Sequence, residues 1–440
     1  MGSRFTRLRA AVSVSVVSGL LAVSACSATS LPVAESPALI DTPMPADAVA
    51  PLEDAVRHAM SVTGSSGAIV GVWAPWSGSW VAGLGESSFG GESVSVEMRY
   101  RIGPSTRSMT CDVLYQVAEE GTVQLDDSVT KWVTGVSDLK NVTLEQLCDS
   151  TSGVGGYASR VTSIWLQNLD REWDPKELVS FGLGDLSDVP PGDAYRASDA
   201  GYILLGLALQ RATGKSPAVL LRRYVFDRLG MGATALPAPP PAPPAKNKPV
   251  LEGWYTHNNA ENMPMCTEPQ DVTELSSSIG FTDSGVVSTV TDLGTYTRAL
   301  AAGALVPADA GRFDDLKPIS TDSPSWFKYG GGAVHAAQLI GQYGAVPGYL
   351  SAAYADPTSG LTIVVVLNNS RAGSALPTFL AWELAALVSK IPATVEGREP
   401  VAGLPWTAEQ YRQALEDNRL CPEVTPEPQP EPEPEATPEG

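Results

Sequence analysis

One short run of residues holds the side chains best placed for nucleophilic chemistry. Gly103-Pro104-Ser105-Thr106-Arg107-Ser108 sets three hydroxyl groups around a positive charge. A hydroxyl becomes a nucleophile when a neighbouring base accepts its proton. Arginine stays protonated at physiological pH, so Arg107 cannot be that base. Ser105 and Arg107 are therefore candidate site residues, and the Ser105 hydroxyl would need a base from elsewhere in the chain. The alternative is that Pro104 and the small residues after it only begin a helix.

Other side chains with reactive chemistry are few. A Ser-His-Asp triad needs a histidine, and the chain has only His58, His257 and His335. We expect all three to have structural or surface roles, and we expect Asp126-Asp127 to bound a loop rather than to act as paired carboxylates. The cysteine spacings resemble no zinc site, so we expect neither a metal nor a cofactor.

The first residues indicate export. Three arginines precede an apolar run over residues 10–21, which is too short to span a bilayer and is typical of a signal peptide. The run leads into Val23-Ser24-Ala25-Cys26, which resembles the bacterial lipobox, where the cysteine is acylated and becomes the mature N-terminus. We therefore expect a signal peptide over 1–25, lipidation of Cys26, and an extracytoplasmic protein anchored to the cell membrane. The alternative is an ordinary signal peptide with an incidental cysteine.

The four remaining cysteines indicate disulfides. An even number in an oxidising compartment is consistent with two bridges, and three pairings are open from the residues alone. The four are Cys111, Cys148, Cys266 and Cys421.

Composition limits the class of partner. Acidic residues outnumber basic ones by 49 to 29, for a net charge of −20, which argues against a nucleic-acid partner. Hydrophobic residues at 43% and charged residues at 18% are typical of a globular domain. We expect a monomer.

The order of predicted elements indicates an α/β (α+β) fold. Strands and helices at both ends surround a mostly helical middle, so we expect an antiparallel sheet built from the N- and C-terminal segments, with flanking helices and an inserted all-helical domain over about 105–300. The predicted helices start at Pro51 and cover 105–120, 201–213 and 376–389, and the predicted strands cover 67–73, 79–84, 330–337, 338–343, 350–355 and 361–368.

The segments before and after this domain differ from it in composition. Residues 26–48 are rich in Ser, Pro and Ala and predict a flexible tether. The domain itself is expected over 49–395, interrupted by a proline-rich insertion at 237–249. A C-terminal extension over 396–421 is followed by a Pro/Glu tail over 422–440, which we expect to be disordered.

Ordered blocks along the chain resemble one family. Its members are the serine β-lactamases of the AmpC type, the D,D-carboxypeptidases and related esterases, and the resemblance covers about residues 50–390. The resemblance implies a β-lactamase/transpeptidase-like fold. The matching blocks are Arg101-Ile102-Gly103, Glu119-Glu120-Gly121, Gly201-Tyr202-Ile203-Leu204-Leu205-Gly206, Gly285-Val286-Val287-Ser288-Thr289 and Pro347-Gly348-Tyr349.

The family's nucleophile motif, Ser-x-x-Lys, is absent where the resemblance places it. Aligned on Arg101-Ile102-Gly103, the serine position is Pro104 and the lysine position is Arg107. Proline offers no nucleophile. Ser105 lies one residue later, which turns its side chain by about 100° around the helix and away from the family's line of attack.

The two other motifs are altered as well. Tyr-x-Asn falls on Ala197 and Asp199, with Tyr195 two residues upstream of the missing phenol. The cation-Thr-Gly motif falls on Gln342, Tyr343 and Gly344, which removes the positive charge and keeps the glycine. Three changes at independent motifs imply that the acyl-transfer chemistry of the family is lost.

The resemblance also implies pairings and partners. The helix that carries Cys111 and the loop after Cys148 border the same cleft in the resembled fold, so these two are expected to pair, which leaves Cys266 with Cys421. We expect a catalytically inactive envelope lipoprotein that binds a ligand or partner near this cleft, either a peptide derived from peptidoglycan or an envelope protein. The helix start and Arg107 together are expected to hold a carboxylate. The alternatives are a hydrolase rebuilt around Ser105 or another serine, and a purely structural envelope protein.

The lipobox generates a first prediction. The full-length protein should partition into membranes or detergent, and Cys26→Ala should release it or block its processing, because two acyl chains hold a protein stably on a bilayer. Fractionation of cells and mass spectrometry of the mature N-terminus measure this. An unmodified mature N-terminus at another residue would refute the prediction.

Overall fold

The computed structural model describes residue 2, residues 39–237 and residues 249–422. The expected signal peptide, Cys26, most of the proline-rich insertion and nearly all of the acidic tail lie outside these ranges. In the described residues, no helix combines the length and the hydropathy needed to cross a membrane.

An antiparallel sheet of eight strands is assembled from both ends of the chain. Its order is β2-β1-β12-β11-β10-β9-β8-β7, so the N-terminal hairpin pairs directly with a C-terminal strand. The strands are β1 (Gly67–Ala74), β2 (Gly78–Gly85), β3 (Tyr100–Arg101), β4 (Trp254–Tyr255), β5 (Gln270–Asp271), β6 (Val287–Ser288), β7 (Lys317–Pro318), β8 (Phe327–Gly330), β9 (Ala333–Ala336), β10 (Leu339–Val346), β11 (Tyr349–Ala355) and β12 (Thr362–Leu367). The antiparallel sheet predicted from the two termini is confirmed.

Helices cover both faces of the sheet and build the lobe between its halves. α1 and α11 lie on one face and α10 and α2 on the other, while α3 to α9 form the lobe together with the short pairs β3–β6 and β4–β5. The helices are α1 (Ala46–Thr63), α2 (Ser105–Glu119), α3 (Leu144–Cys148), α4 (Ala158–Gln167), α5 (Pro175–Leu183), α6 (Asp199–Thr213), α7 (Pro217–Leu221), α8 (Asp227–Leu229), α9 (Phe281–Ser284), α10 (Val290–Ala301), α11 (Leu376–Val388) and α12 (Ala408–Glu416).

The core follows from the alternation of side chains along the buried strands. In β12, Val364 and Val366 pack with the helical lobe and α10, whereas Ile363 and Val365 pack under α1 and α11. Both sets are almost completely buried, because a strand covered on both faces has no solvent side. This two-sided burial fixes the register of β12 and, through it, the positions of β10 and β11.

The expected tether ends earlier than predicted. α1 begins at Ala46, so Pro51 lies inside the helix and not at its start. Just before it, the backbone N–H of Met44 donates to the carbonyl of Ser79 at 2.8 Å, and that of Ser79 donates to Thr42 at 2.7 Å. The prediction of a tether reaching residue 48 is wrong for this part, because these hydrogen bonds hold the segment on the edge strand β2.

Two disulfides hold peripheral elements on the body. Cys111 of α2 bonds to Cys148 at the end of α3, with 5.6 Å between their Cα atoms. Cys266, in the loop between β4 and β5, bonds to Cys421, with 5.8 Å between Cα atoms. The pairing is the one implied by the family resemblance, and the second bridge closes the C-terminal extension onto the domain.

The C-terminal extension contains α12, which packs on α11 and contacts the buried carboxylate of Glu383. The Glu383 side chain is 2% exposed, and its partner is the Arg412 guanidinium of α12 at 3.3 Å. Arg412 also pairs with Asp54 of α1 at 2.9 Å. Burial raises the pKa of Glu383 to about 7, and Arg412 only partly opposes this.

Glu383 generates a prediction of pH dependence. Its folded-state pKa of about 7 lies above the ordinary value of 4.5, so the folded state holds the proton more tightly and stability falls as pH rises from 4.5 through 7. Glu383→Gln should therefore leave stability nearly unchanged at the acid end and raise it by about 1–3 kcal/mol above pH 7. Denaturant unfolding across this pH range measures the difference between variant and wild type.

The matched control is Glu396→Gln, which removes an exposed carboxylate and should change neither end of the range. Equal stabilisation by Glu383→Gln at both ends would contradict the assignment.

Candidate active site

The start of α2 faces β10 across the position where the family resemblance places the cleft. Gly103 has a φ of +56°, which turns the chain from β3 into the helix. A Cβ atom at Gly344 of β10 would lie 2.6 Å from Cγ of Pro104, so the proline ring fills the space directly in front of the strand. A side chain at position 344 would therefore clash with Pro104, so the third motif keeps its glycine while the first has a proline.

Ser105 is present at the helix start but is enclosed. It is 2% exposed, and its Oγ is buried with no hydrogen-bond partner among the described residues. Ser108, one turn on, donates its hydroxyl to the carbonyl of Gly332 at 2.6 Å. Neither hydroxyl contacts a side chain that could accept its proton as a base.

Arg107 forms a buried ion pair. Its Nε donates to Oδ1 of Asp283 in α9 at 2.7 Å, with side-chain exposures of 15% and 5%. The guanidinium also lies over the Tyr202 ring, 5.3 Å from the centroid. Burial disfavours the charged guanidinium, but the Asp283 carboxylate outweighs it and holds the pKa of Arg107 well above its usual range. Arg107 therefore stays protonated, and its charge is paired with Asp283.

Asp199, which the family resemblance aligns with the asparagine of the second motif, accepts hydrogen bonds from the backbone. Its carboxylate accepts hydrogen bonds from the N–H groups of Tyr157 at 2.6 Å and Ala158 at 2.9 Å, which pins the start of α4 to the start of α6. Burial, reinforced by the nearby Asp283, raises the pKa of Asp199 to about 6. The residue holds two elements together in the way that a helix cap does.

Gln342, Tyr329 and Tyr202 fill the other side of the site. The Gln342 amide donates to the hydroxyl of Tyr329 at 2.9 Å and to the carbonyl of Gly332 at 3.1 Å. Tyr329 shares a hydrogen bond of 2.8 Å with Tyr202, whose hydroxyl also donates to the carbonyl of Cys148. Burial raises the pKa of both phenols, so they stay neutral and cannot act as bases.

Tyr195 does not replace the phenol missing at Ala197. Its ring packs on Tyr329 with 4.7 Å between centroids, and burial raises its pKa. Tyr343, beside Gln342, stacks on Phe327 at 6.4 Å. Both tyrosines are half-buried at the edge of the site, where they contribute aromatic surface and no base.

The expected carboxylate-binding site at the start of α2 is not formed as predicted. Arg107 is paired with Asp283, and the backbone N–H groups of Thr106 and Arg107 already donate to Gly103 and Pro104 at 3.0 and 2.9 Å. The structure thus contradicts the expectation of a free positive charge beside free N–H groups, because the charge and these donors are satisfied internally.

The remaining reactive side chains lie in structural contacts. His58 bonds to Glu416 at 2.9 Å, His257 to Gln270 at 2.5 Å, and His335 packs on the Phe313 ring at 4.7 Å. Asp127 accepts from Lys131 at 2.7 Å. In the described ranges, no three His, Cys, Asp or Glu side chains are grouped to hold a metal ion.

Two residues of this site were not singled out from the sequence. Asp283 lies 176 positions after Arg107, and Tyr329 lies 13 before Gln342. One signal for Asp283 was available: it lies two residues before the family block Gly285-Val286-Val287-Ser288, and a carboxylate is the natural partner of an arginine near a cleft. Nothing in the residues around Tyr329 marked it.

The fold and the placement of these motifs define the class of the protein. A helix start and a strand face each other between an antiparallel sheet and a helical lobe, where the resemblance to the serine hydrolases places the cleft. The sequence model of the Beta-lactamase family matches residues 52–386, and the chain belongs to this family.

Curated relatives match part of the chain. Penicillin-binding protein 4* of Bacillus subtilis is 22% identical over 258 residues, which cover 57% of this chain and 56% of the relative. Protein flp of Staphylococcus aureus is 29% identical over 123 residues, which cover 27% of this chain and 24% of the relative. The chain thus spans about half the length of the first relative and a quarter of the second.

Solved structures extend the likeness over most of the domain. A D-stereospecific amidohydrolase from Streptomyces aligns with a TM-score of 0.62 and 25% identity, covering 72% of this chain and 94% of that one. The octameric penicillin-binding protein homologue from Pyrococcus abyssi aligns with a TM-score of 0.65 and 22% identity, covering 82% and 80%. These confirm the β-lactamase/transpeptidase-like fold.

The Arg107–Asp283 pair generates a prediction of stability. Arg107→Ala should destabilise the fold by roughly 3 kcal/mol, because it leaves Asp283 buried without its cation and close to Asp199. Asp283→Ala should cost a similar amount, and the double variant clearly less than the sum, since removing both charges leaves neither unpaired. Denaturant unfolding of the four proteins gives the coupling.

Arg107→Lys is the conservative control and should lose less than Arg107→Ala. Additive effects of the two alanine substitutions would show that the ion pair does not carry the stability assigned to it.

Proposed function

We propose that this protein is a catalytically inactive member of the Beta-lactamase family that acts by binding a ligand or partner at the cell envelope. The observation that carries the proposal is Pro104, which stands at the family's serine position and packs its ring against Gly344. No rotation of neighbouring side chains supplies a nucleophile at that point.

The other groups around the site support the same conclusion. Arg107 holds its proton too firmly to serve as the base, and its charge is committed to Asp283. Tyr202 and Tyr329 are neutral and bonded to each other, and Gln342 brings no cation to its position. Nucleophile, base, phenol and cation are therefore all replaced, and such members act together in catalysis.

A rebuilt hydrolase acting through Ser105 is less well supported. Ser105 is enclosed at 2% exposure, and its hydroxyl contacts no base among the described residues.

The first residues of the chain support the proposed location. The surface beside the cleft supports the proposed class of partner. The lipobox-like run ending in Cys26 supports a lipid-anchored, extracytoplasmic protein. With the interior of the site filled by side chains, a peptide derived from peptidoglycan or an envelope protein would contact the rim, where Tyr195 and Tyr343 are half-buried. We propose that the protein does this as a monomer.

The decisive experiment measures acylation. Purified protein incubated with a fluorescent penicillin and with an activated ester should show neither covalent label nor a burst of product. Pro104→Ser alone should recover almost nothing, because the base, phenol and cation remain absent. The four-residue restoration of Ser at 104, Lys at 107, Tyr at 197 and Asn at 199 tests whether the frame still supports slow acylation.

Stoichiometric label on the wild type that disappears in Ser105→Ala would refute inactivity and establish the rebuilt hydrolase. Binding is measured separately by titration with short peptides that end in D-Ala, with the same peptides ending in L-Ala as the matched control. Equal or no response to both would exclude a peptide of this class as the ligand and would leave the acylation result untouched.

A further inference from the structure

A cavity in the helical lobe, separate from the old active site, carries a cluster of positive charge. It is an open cavity of about 440 Å³ with exposed charged side chains, and it lies where α5, the end of α6 and the start of α7 meet. Lys176, Arg211 and Lys215 line it, together with Trp132 and the polar side chains of Gln210 and Ser216. Its volume lies within the range of small-molecule sites.

The three cations are not neutralised by the protein. Among the described residues, none of them forms an ion pair or a side-chain hydrogen bond, and no acidic residue lines the cavity. The acids nearest in sequence are committed elsewhere: Asp174 accepts the backbone N–H of Lys176 at 2.8 Å, and Glu177 pairs with Arg171 at 2.5 Å. A cluster of free positive charge stands out in a chain whose net charge is −20.

Lys176 and Arg211 lie at opposite ends of their helices. Lys176 is the second residue of α5, where the helix N-terminus disfavours a cation, and Asp174 and Glu177 beside it offset that effect. Arg211, in the last turn of α6, is favoured there by the opposite end of a helix dipole. Both side chains are exposed and line the cavity, so an anionic ligand in it can contact both.

We propose that this cavity binds a small polyanion of the phosphate class. Three cations from separate elements surround one volume, so a ligand with two or more anionic groups can contact them together, which a single orthophosphate cannot do as well. Lysine and arginine are the side chains that recognise phosphate through charge and hydrogen bonds. Trp132, Val133 and Leu207 add an apolar wall beside the charges. The site is independent of the proposed role of the old cleft.

Two sources offer this chemistry, and the test separates them. The purified full chain is titrated by calorimetry at low ionic strength with sodium tripolyphosphate, with orthophosphate, and with vesicles of phosphatidylglycerol against neutral phosphatidylcholine. We expect tripolyphosphate to bind more tightly than orthophosphate and the affinity to fall steeply with added salt. Binding to anionic vesicles alone, lost in the variant below, would identify a lipid headgroup as the source.

The variant Lys176→Ala/Arg211→Ala/Lys215→Ala should weaken binding at least about thirtyfold, and each single substitution about threefold, since exposed charged contacts contribute modestly one at a time. The matched control removes three exposed cations outside the cavity, Lys140, Arg222 and Arg371. It should bind within a factor of about two of the wild type.

Unchanged melting temperatures of both triple variants show that folding is intact. No binding by the wild type, or equal loss in both triple variants, would overturn the proposal.

Discussion

The buried charge of Arg107 is the constraint around which the candidate site is arranged. This nearly buried guanidinium needs a partner, and the Asp283 carboxylate supplies one at 2.7 Å. The pair joins α2 to α9, and Asp199, close enough to feel Asp283, joins α4 to α6. The helix α2 and three helices of the lobe, α4, α6 and α9, therefore meet around two carboxylates and one cation.

The frame survives because other contacts hold it. The register of β10, β11 and β12 is fixed by side chains buried on both faces of the sheet. Of the altered motif positions, Gln342 and Tyr343 lie on β10, and Pro104, Arg107, Ala197 and Asp199 lie outside these strands. The Cys111–Cys148 bridge ties α2 to α3 behind the site. Most of the contacts that hold the fold are thus made by residues other than the three motifs.

The sequence predicted the parts of this structure that local pattern and family blocks determine. α2, α6, α11 and the closing strands are long, periodic segments and lie where they were expected. The start of α1 was misplaced because Pro51 resembles a first helical residue, whereas tertiary contacts at Ser79 let the helix begin earlier. α12 was missed, although Ala408, Tyr411 and Leu415 have helical spacing, since its apolar face has meaning only against α11.

The interior of the site shows why sequence alone could not describe it. The absence of the motif residues was visible, but what replaced them depends on contacts between positions far apart, such as Arg107 with Asp283 and Gln342 with Tyr329.

These contacts also limit how the protein can work. Enzyme active sites keep polar groups unsatisfied or strained until a substrate arrives, and stability is lost in return. Here Gln342, Tyr329 and Tyr202 satisfy one another, and Arg107 is satisfied by Asp283, whereas the buried Ser105 hydroxyl has no partner among the described residues. A ligand that entered this interior would have to break protein hydrogen bonds before it formed its own, with little net gain. Recognition at the rim carries no such cost, which favours the surface of the site for the binding role proposed above.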